Sequence, residues 1–128
     1  MAALAGVFAL APNLQAAPNT DFNWTEPTNY VDGTVIPATD VLTYTLYCGS
    51  QQGGPYEVYG IIAVDAASAA QVDLNSCVNG VPGTYYFTLT ATSADFGTES
   101  TLSNEASRTY TNADLGKVPL PPVLVTVQ

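Results

Sequence analysis

From residue 20 onward, apolar and polar positions alternate with a period of two, as in strands that bury one face. Thr20-Asp21-Phe22-Asn23-Trp24 predicts a half-buried strand, broken by Glu26-Pro27-Thr28-Asn29 and by the turn pair Asp32-Gly33. In the next alternation Leu42, Tyr44, Leu46 and Cys48 share one face, and Thr43, Thr45 and Tyr47 the other. Residues 49–55 are a loop by composition. Tyr56 to Val64 predicts a third strand, with Gly60 marking a bulge. Residues 66–70 read as a turn of helix or a loop, and Gln71-Val72-Asp73-Leu74 as a short strand leading to Cys77. Asn79-Gly80 and Pro82-Gly83 punctuate a corner. Thr84 to Thr92 is the longest clean alternation, with Tyr85, Phe87, Leu89 and Ala91 on one face. Residues 93–97 turn, and Leu102 to Tyr110 returns as the last strand. No long helical period interrupts this series. Short antiparallel strands separated by turns specify an all-β sandwich.

The expected core of that sandwich is Phe22, Trp24, Tyr44, Leu46, Tyr85, Phe87 and Leu89. Trp24, the sole tryptophan, shares the phase of Phe22 and is the natural anchor. Tyr85 follows the Pro82-Gly83 corner, where a sandwich places a phenol that bonds upstream backbone. Its neighbour Tyr86 then faces solvent.

The two ends read differently. Residues 1–16 carry a short Ala-rich apolar run, too short to span a bilayer. With Leu14-Gln15-Ala16 ahead of Ala17-Pro18 it reads as a signal peptide, although no basic residue precedes it; the rival reading is an arm that packs on a neighbour. The sandwich is expected over residues 17–112. Residues 113–128 form a proline-containing tail whose strand-like end holds Val123, Val125 and Val127 on one phase.

Composition narrows the function. Eleven carboxylates face two basic residues, for a net charge of −9, so phosphate backbones and anionic membranes are repelled. Nucleic acid is excluded as a partner, and no membrane span is expected. The chain has no histidine, which removes Ser-His-Asp and Cys-His catalysis. The Gly-rich stretch at 49–54 lacks the lysine of a phosphate loop. Asp32, Asp40, Asp95 and Glu99 fall at loop ends, where such residues serve turns, and no spacing resembles a calcium loop. No enzyme, cofactor or metal site is therefore expected. Cys48 and Cys77, the only cysteines, are a candidate disulfide of an oxidising compartment. Tyr30, Tyr47, Tyr56, Tyr59 and Tyr86 are expected on solvent-facing positions, and Tyr47, Tyr59 and Tyr86 are the candidate binding residues of an aromatic face.

Several stretches resemble the bacterial and phage version of the fibronectin type III domain. Trp24, Pro27-Thr28 and Asp32-Gly33 are similar to its opening motif, and residues 43–49, TYTLYCG, to its third strand. Residues 82–91, PGTYYFTLTA, resemble its "P-G-T-Y-Y-F-x-V-T-A" run. Gly97-Thr98-Glu99-Ser100 with Ser103-Asn104-Glu105 resembles "G-x-E-S…S-N-E". The resemblance covers about residues 20 to 110. It implies a single immunoglobulin-like antiparallel β-sandwich, but the family's first strand has no clear counterpart here. Three readings are open: Leu14 and its neighbours supply that edge, the 123–127 run occupies it, or the run opens a further domain.

Two roles are consistent with such a chain. One is a secreted, extracellular or periplasmic adhesion module that binds a protein or cell-surface glycan through loops or an aromatic sheet face. The other is a structural assembly subunit, such as a virion-surface decoration or filament protein. That subunit would contact its neighbours through the N-terminal arm or the residues Val123, Val125 and Val127.

Overall fold

The alternation at 42–49 becomes the centre of the molecule. In the computed structural model, residues 19–78, 81–116 and 119–127 are described; the signal-or-arm reading of residues 1–16 lies outside them. The strands are β1 (Thr20–Asn23), β2 (Leu42–Gly49), β3 (Glu57–Val64), β4 (Ser68–Val72), β5 (Gly83–Ser93) and β6 (Ala106–Tyr110). Two helical turns, α1 (Asn75–Val78) and α2 (Asn112–Leu115), complete the series. The strands form two antiparallel sheets, one ordered β3-β2-β5-β6 and the other β1-β4. This is an all-β sandwich with one broad and one narrow layer.

Strand β2 alternates strictly between buried and half-buried residues because it is paired on both sides. Leu46 and Cys48 join Leu74, Val78, Tyr85, Phe87, Tyr110 and Leu115 in the buried cluster, with Phe22 and Leu89 packed against it. The Phe22 and Phe87 rings meet edge to face at 5.2 Å, tying the two sheets together. The Tyr85 phenol donates to the carbonyl oxygens of Val81 at 2.8 Å and Val78 at 3.1 Å, fastening the corner before β5.

Four expectations are corrected. Residues 68–72 are strand β4, held by β1, where local composition read as a turn of helix or a loop. The 71–74 strand instead ends at Val72, and the fully buried Leu74 opens the turn that carries Cys77. The last strand is short. Between Glu99 and Ser103 the chain is joined to β5 by Ser100 and Ser103: each backbone amide donates to a β5 carbonyl, Ala91 O and Leu89 O at 2.8 Å, and the Ala91 and Leu89 amides donate back to Ser100 Oγ and Ser103 Oγ at 2.9 Å. The core also runs past residue 112. Thr111 and Asp114 form a reciprocal capping box that starts α2 and drives Leu115 into the interior.

Trp24 departs from the role of core anchor. It lies against Tyr44 at 5.0 Å but outside the buried cluster, half-exposed. The narrow sheet explains this. Among the described residues β4 is the one strand beside β1, and a groove lined by Phe22, Trp24, Leu89 and Ala106 lies between β1 and the inner face of β5. Ala106 shows it directly: it pairs with inward-facing Phe87, yet it is exposed.

Candidate functional site

Two loops meet at the end of the sandwich where β2 starts and β5 stops. The first, between β1 and β2, contains a small hairpin of its own. Tyr30 N donates to Thr34 O at 2.8 Å, and Gly33 N to Tyr30 O at 2.9 Å. Gly33 takes φ +92°, a conformation that a side chain would resist. The Asp32 carboxylate receives the Thr34 hydroxyl at 2.6 Å and its amide at 2.9 Å. Those bonds, the hydroxyl's foremost, hold its pKa below the usual carboxylate value.

The second loop, after β5, turns through Gly97. The two are joined by Asp40, which the sequence marks only as a turn residue. Its side chain is buried, with 3% exposure. Ser93 Oγ and the Tyr30 phenol each donate to Asp40 Oδ2 at 2.6 Å, and the Asp95 amide donates to Oδ1 at 3.0 Å. Both carboxylate oxygens are thus satisfied, as a buried charge requires. The Ser93 and Tyr30 hydroxyls hold the Asp40 pKa down. The same bond, aided by burial, pushes the Tyr30 phenol up to about 12. Tyr30 also meets Phe96 of the second loop edge to face at 5.5 Å.

The clamp presents an apolar crown. Val31 at the hairpin tip is fully exposed, Val35 keeps 72% of its surface and Phe96 67%. Asp32 and Asp95 flank these side chains with carboxylates in solvent. Apolar side chains exposed at a hydrogen-bonded loop end, beside two carboxylates, make it a candidate interaction surface.

The expected aromatic face is built differently. Tyr47 lies on the outer face of the broad sheet, and its hydroxyl donates to Glu99 Oε2 at 2.6 Å. Glu99 also receives the Thr90 hydroxyl at 2.5 Å; the two bonds, Thr90's foremost, lower its pKa. Tyr56 donates to Glu105, which also accepts the Gly53 amide at 2.7 Å. These contacts draw the 49–56 loop across the outer face. Gly49 allows the approach, because a Cβ there would stand 2.5 Å from Pro55 O. The carboxylates of the "G-x-E-S…S-N-E" resemblance are therefore the acceptors that fix these phenols. Tyr59 is a correction: it packs against the core and donates to Asp73 O, because the irregular pairing around Gly60 shifts the phase of β3. Tyr86 sits half-buried opposite Gly49 on the outer face.

No protein-family model, curated protein or solved structure matches this chain. Cys48 and Cys77 form a disulfide with a Cα separation of 6.4 Å, pinning α1 to β2. Among the described residues no helix is long and apolar enough to cross a membrane. The disulfide is compatible with an extracellular location. Val123, Val125 and Val127 lie outside any strand, in a run of exposed residues.

The site residue that local reasoning passes over is Asp40. Its one signal is position: it sits two residues before a strand that starts on a buried leucine. Its partners Ser93 and Tyr30 are remote in sequence, so only the folded chain assembles them.

Proposed function

We infer that this chain is a non-catalytic interaction module of an exported or surface protein, binding a protein partner through its clamped loop end. The observation that carries the reading is the Asp40 clamp, which holds Tyr30, Val31, Val35 and Phe96 as a rigid apolar crown between exposed carboxylates. Rigid display lowers the entropy lost on docking. The partner that fits is apolar at its centre and basic at its rim, since the crown carries Asp32 and Asp95 and the chain a net charge of −9. The strand arrangement supports a fibronectin type III-like domain: among the described residues β1 and β4 form one layer and β3, β2, β5 and β6 the other.

The outer tyrosine face is a weaker surface for glycan. Tyr47 and Tyr56 have their hydroxyls committed to Glu99 and Glu105. The test compares full-length wild type with a Val31→Ser, Phe96→Ser variant, each immobilised and exposed to solubilised surface proteins. A partner retained by wild type and lost by the variant at unchanged melting temperature supports the reading. Equal retention by both, or none by wild type, contradicts it.

A further inference from the structure

Strand β1 carries an acceptor pattern that the loop-end surface does not use. Asn23-Trp24-Thr25 reads N-x-[ST], the pattern at which oligosaccharide is joined to an asparagine amide in secreted proteins. Of the eight asparagines in the chain, Asn23 alone has a serine or threonine two positions on. So short a pattern recurs by chance, and where the fold puts it decides what it is worth. Here it is interleaved with two aromatics, Phe22 and Trp24, so one set must turn inward and the other outward.

The aromatics take the inside. Phe22 packs against the buried cluster and Trp24 against Tyr44, while Asp21, Asn23 and Thr25, on the opposite phase, are all exposed. Asn23 is the last residue of β1, where the chain leaves the sheet for the hairpin at Tyr30. Across the ladder it faces Ser68, itself exposed, and beyond it the Trp24 amide donates to Ala67 O at 3.0 Å. The residues opposite are thus small, and a sugar on the Asn23 amide has room above them. Among the described residues no hydrogen bond holds the Asn23 or Thr25 side chain, whereas Asn29 gives its amide to Gly33 O at 3.0 Å.

We propose that Asn23 is an N-glycosylation site, with a lipid-linked oligosaccharide as donor. The proposal rests on the reading of the chain as exported, with which the Cys48–Cys77 disulfide is compatible. In the transfer, Asn23 Nδ2 attacks the anomeric carbon of the first sugar. A carbon–nitrogen bond forms as the carbon–oxygen bond to the donor's pyrophosphate breaks. The lipid pyrophosphate leaves with the bonding electron pair, and one amide proton passes to a base of the transferase. Thr25 supplies the hydroxyl by which the transferase selects this asparagine. Asn23 also lines the groove beside Trp24 and Pro27, so the first sugar stands at the rim of an apolar surface and screens it.

The experiment is intact-mass and glycopeptide analysis of the full chain, directed into the secretory pathway of a eukaryotic cell that makes N-glycans and collected from the medium. Wild type is compared with Asn23→Gln, Thr25→Ala and Thr25→Ser. A control, Val123→Asn with Val125→Thr, puts the same pattern in the exposed tail. Asn23 and Thr25 are exposed, so their variants keep the wild-type melting temperature. The expected result is a wild-type glycan on Asn23 that an N-glycan amidase releases, leaving aspartate. Asn23→Gln and Thr25→Ala lose it entirely, and Thr25→Ser retains it, because the hydroxyl is kept. Wild type that is bare at Asn23 while the tail control is occupied overturns the proposal. The occupied tail shows that the chain met the transferase, so that result removes the site and leaves the export reading standing. A glycan that survives Asn23→Gln overturns the proposal as well.

Discussion

Asp40 shows how one side chain organises a surface that its neighbours in sequence do not announce. Its carboxylate joins Tyr30 of one loop to Ser93 and the Asp95 amide of the other, and its burial leaves those donors no water as a substitute. In Asp40→Asn the amide presents one oxygen where the carboxylate presents two, so either the Asp95 amide or the Tyr30 and Ser93 hydroxyls face an NH2 group in place of their acceptor. The expected outcome is a loosened crown, read as weaker partner binding with the sheet's circular dichroism unchanged. The pH dependence has two sides. Asp40, Asp32 and Glu99 have folded pKa values below the ordinary carboxylate value, so their contribution is complete above about pH 4 and is lost as pH falls through those lowered values. Tyr30 is raised from 10.0 to about 12, so its contribution is complete below pH 10 and lost as pH climbs through about 12. A melting-temperature profile flat through neutral pH and falling at both extremes is the expected curve. A maximum confined to acid pH would contradict it.

At the scale of elements, what was legible in sequence follows from how local the cause is. The alternations at 42–49 and 83–93 are set by residues that each strand carries itself, and the strands appear where the pattern places them. Strand β4 was not legible, because Ser68-Ala69-Ala70 has no apolar alternation and becomes strand only by pairing with β1. The phase of Tyr59 was lost for a similar reason: the irregular pairing around Gly60 lies between β3 and its partner, and the residues of β3 do not show it. The same holds for the candidate site, where the loop residues were visible as turn formers while the clamp that unites them was not. Residues 99–103 teach the opposite lesson. Ser100 and Ser103 read as solvent polarity, but each hydroxyl accepts the β5 amide of the residue whose carbonyl its own backbone amide bonds, and so completes a ladder that is only half backbone. Gly49 tests the outer-face arrangement. In Gly49→Ala the new methyl meets Pro55 O at 2.5 Å, a backbone atom that moves only with its loop. The expected outcome is release of the 49–56 loop, seen as new proteolytic cleavage within it. A loop as resistant as wild type would contradict this packing.

For the whole molecule, stability rests on a single modest core and its staple. The disulfide closes a separation of 29 residues between β2 and α1. On the chain-entropy estimate such a loop contributes about 3–4 kcal/mol, a large share of what holds one domain together. Cys77→Ser is expected to lower stability by about that amount in a denaturant titration. A loss below about 1 kcal/mol would mean that α1 is held by Leu74 and Val78 alone. The most direct test of the central claim, that the loop end is a rigid binding surface, is amide hydrogen exchange by nuclear magnetic resonance on wild type and Asp40→Asn. The account predicts slow exchange at Tyr30, Gly33, Asp95 and Phe96 in wild type, with Asp95 and Phe96 losing protection in the variant while β2 and β5 keep theirs. Fast exchange at those amides in wild type, or protection unchanged in the variant, would contradict it.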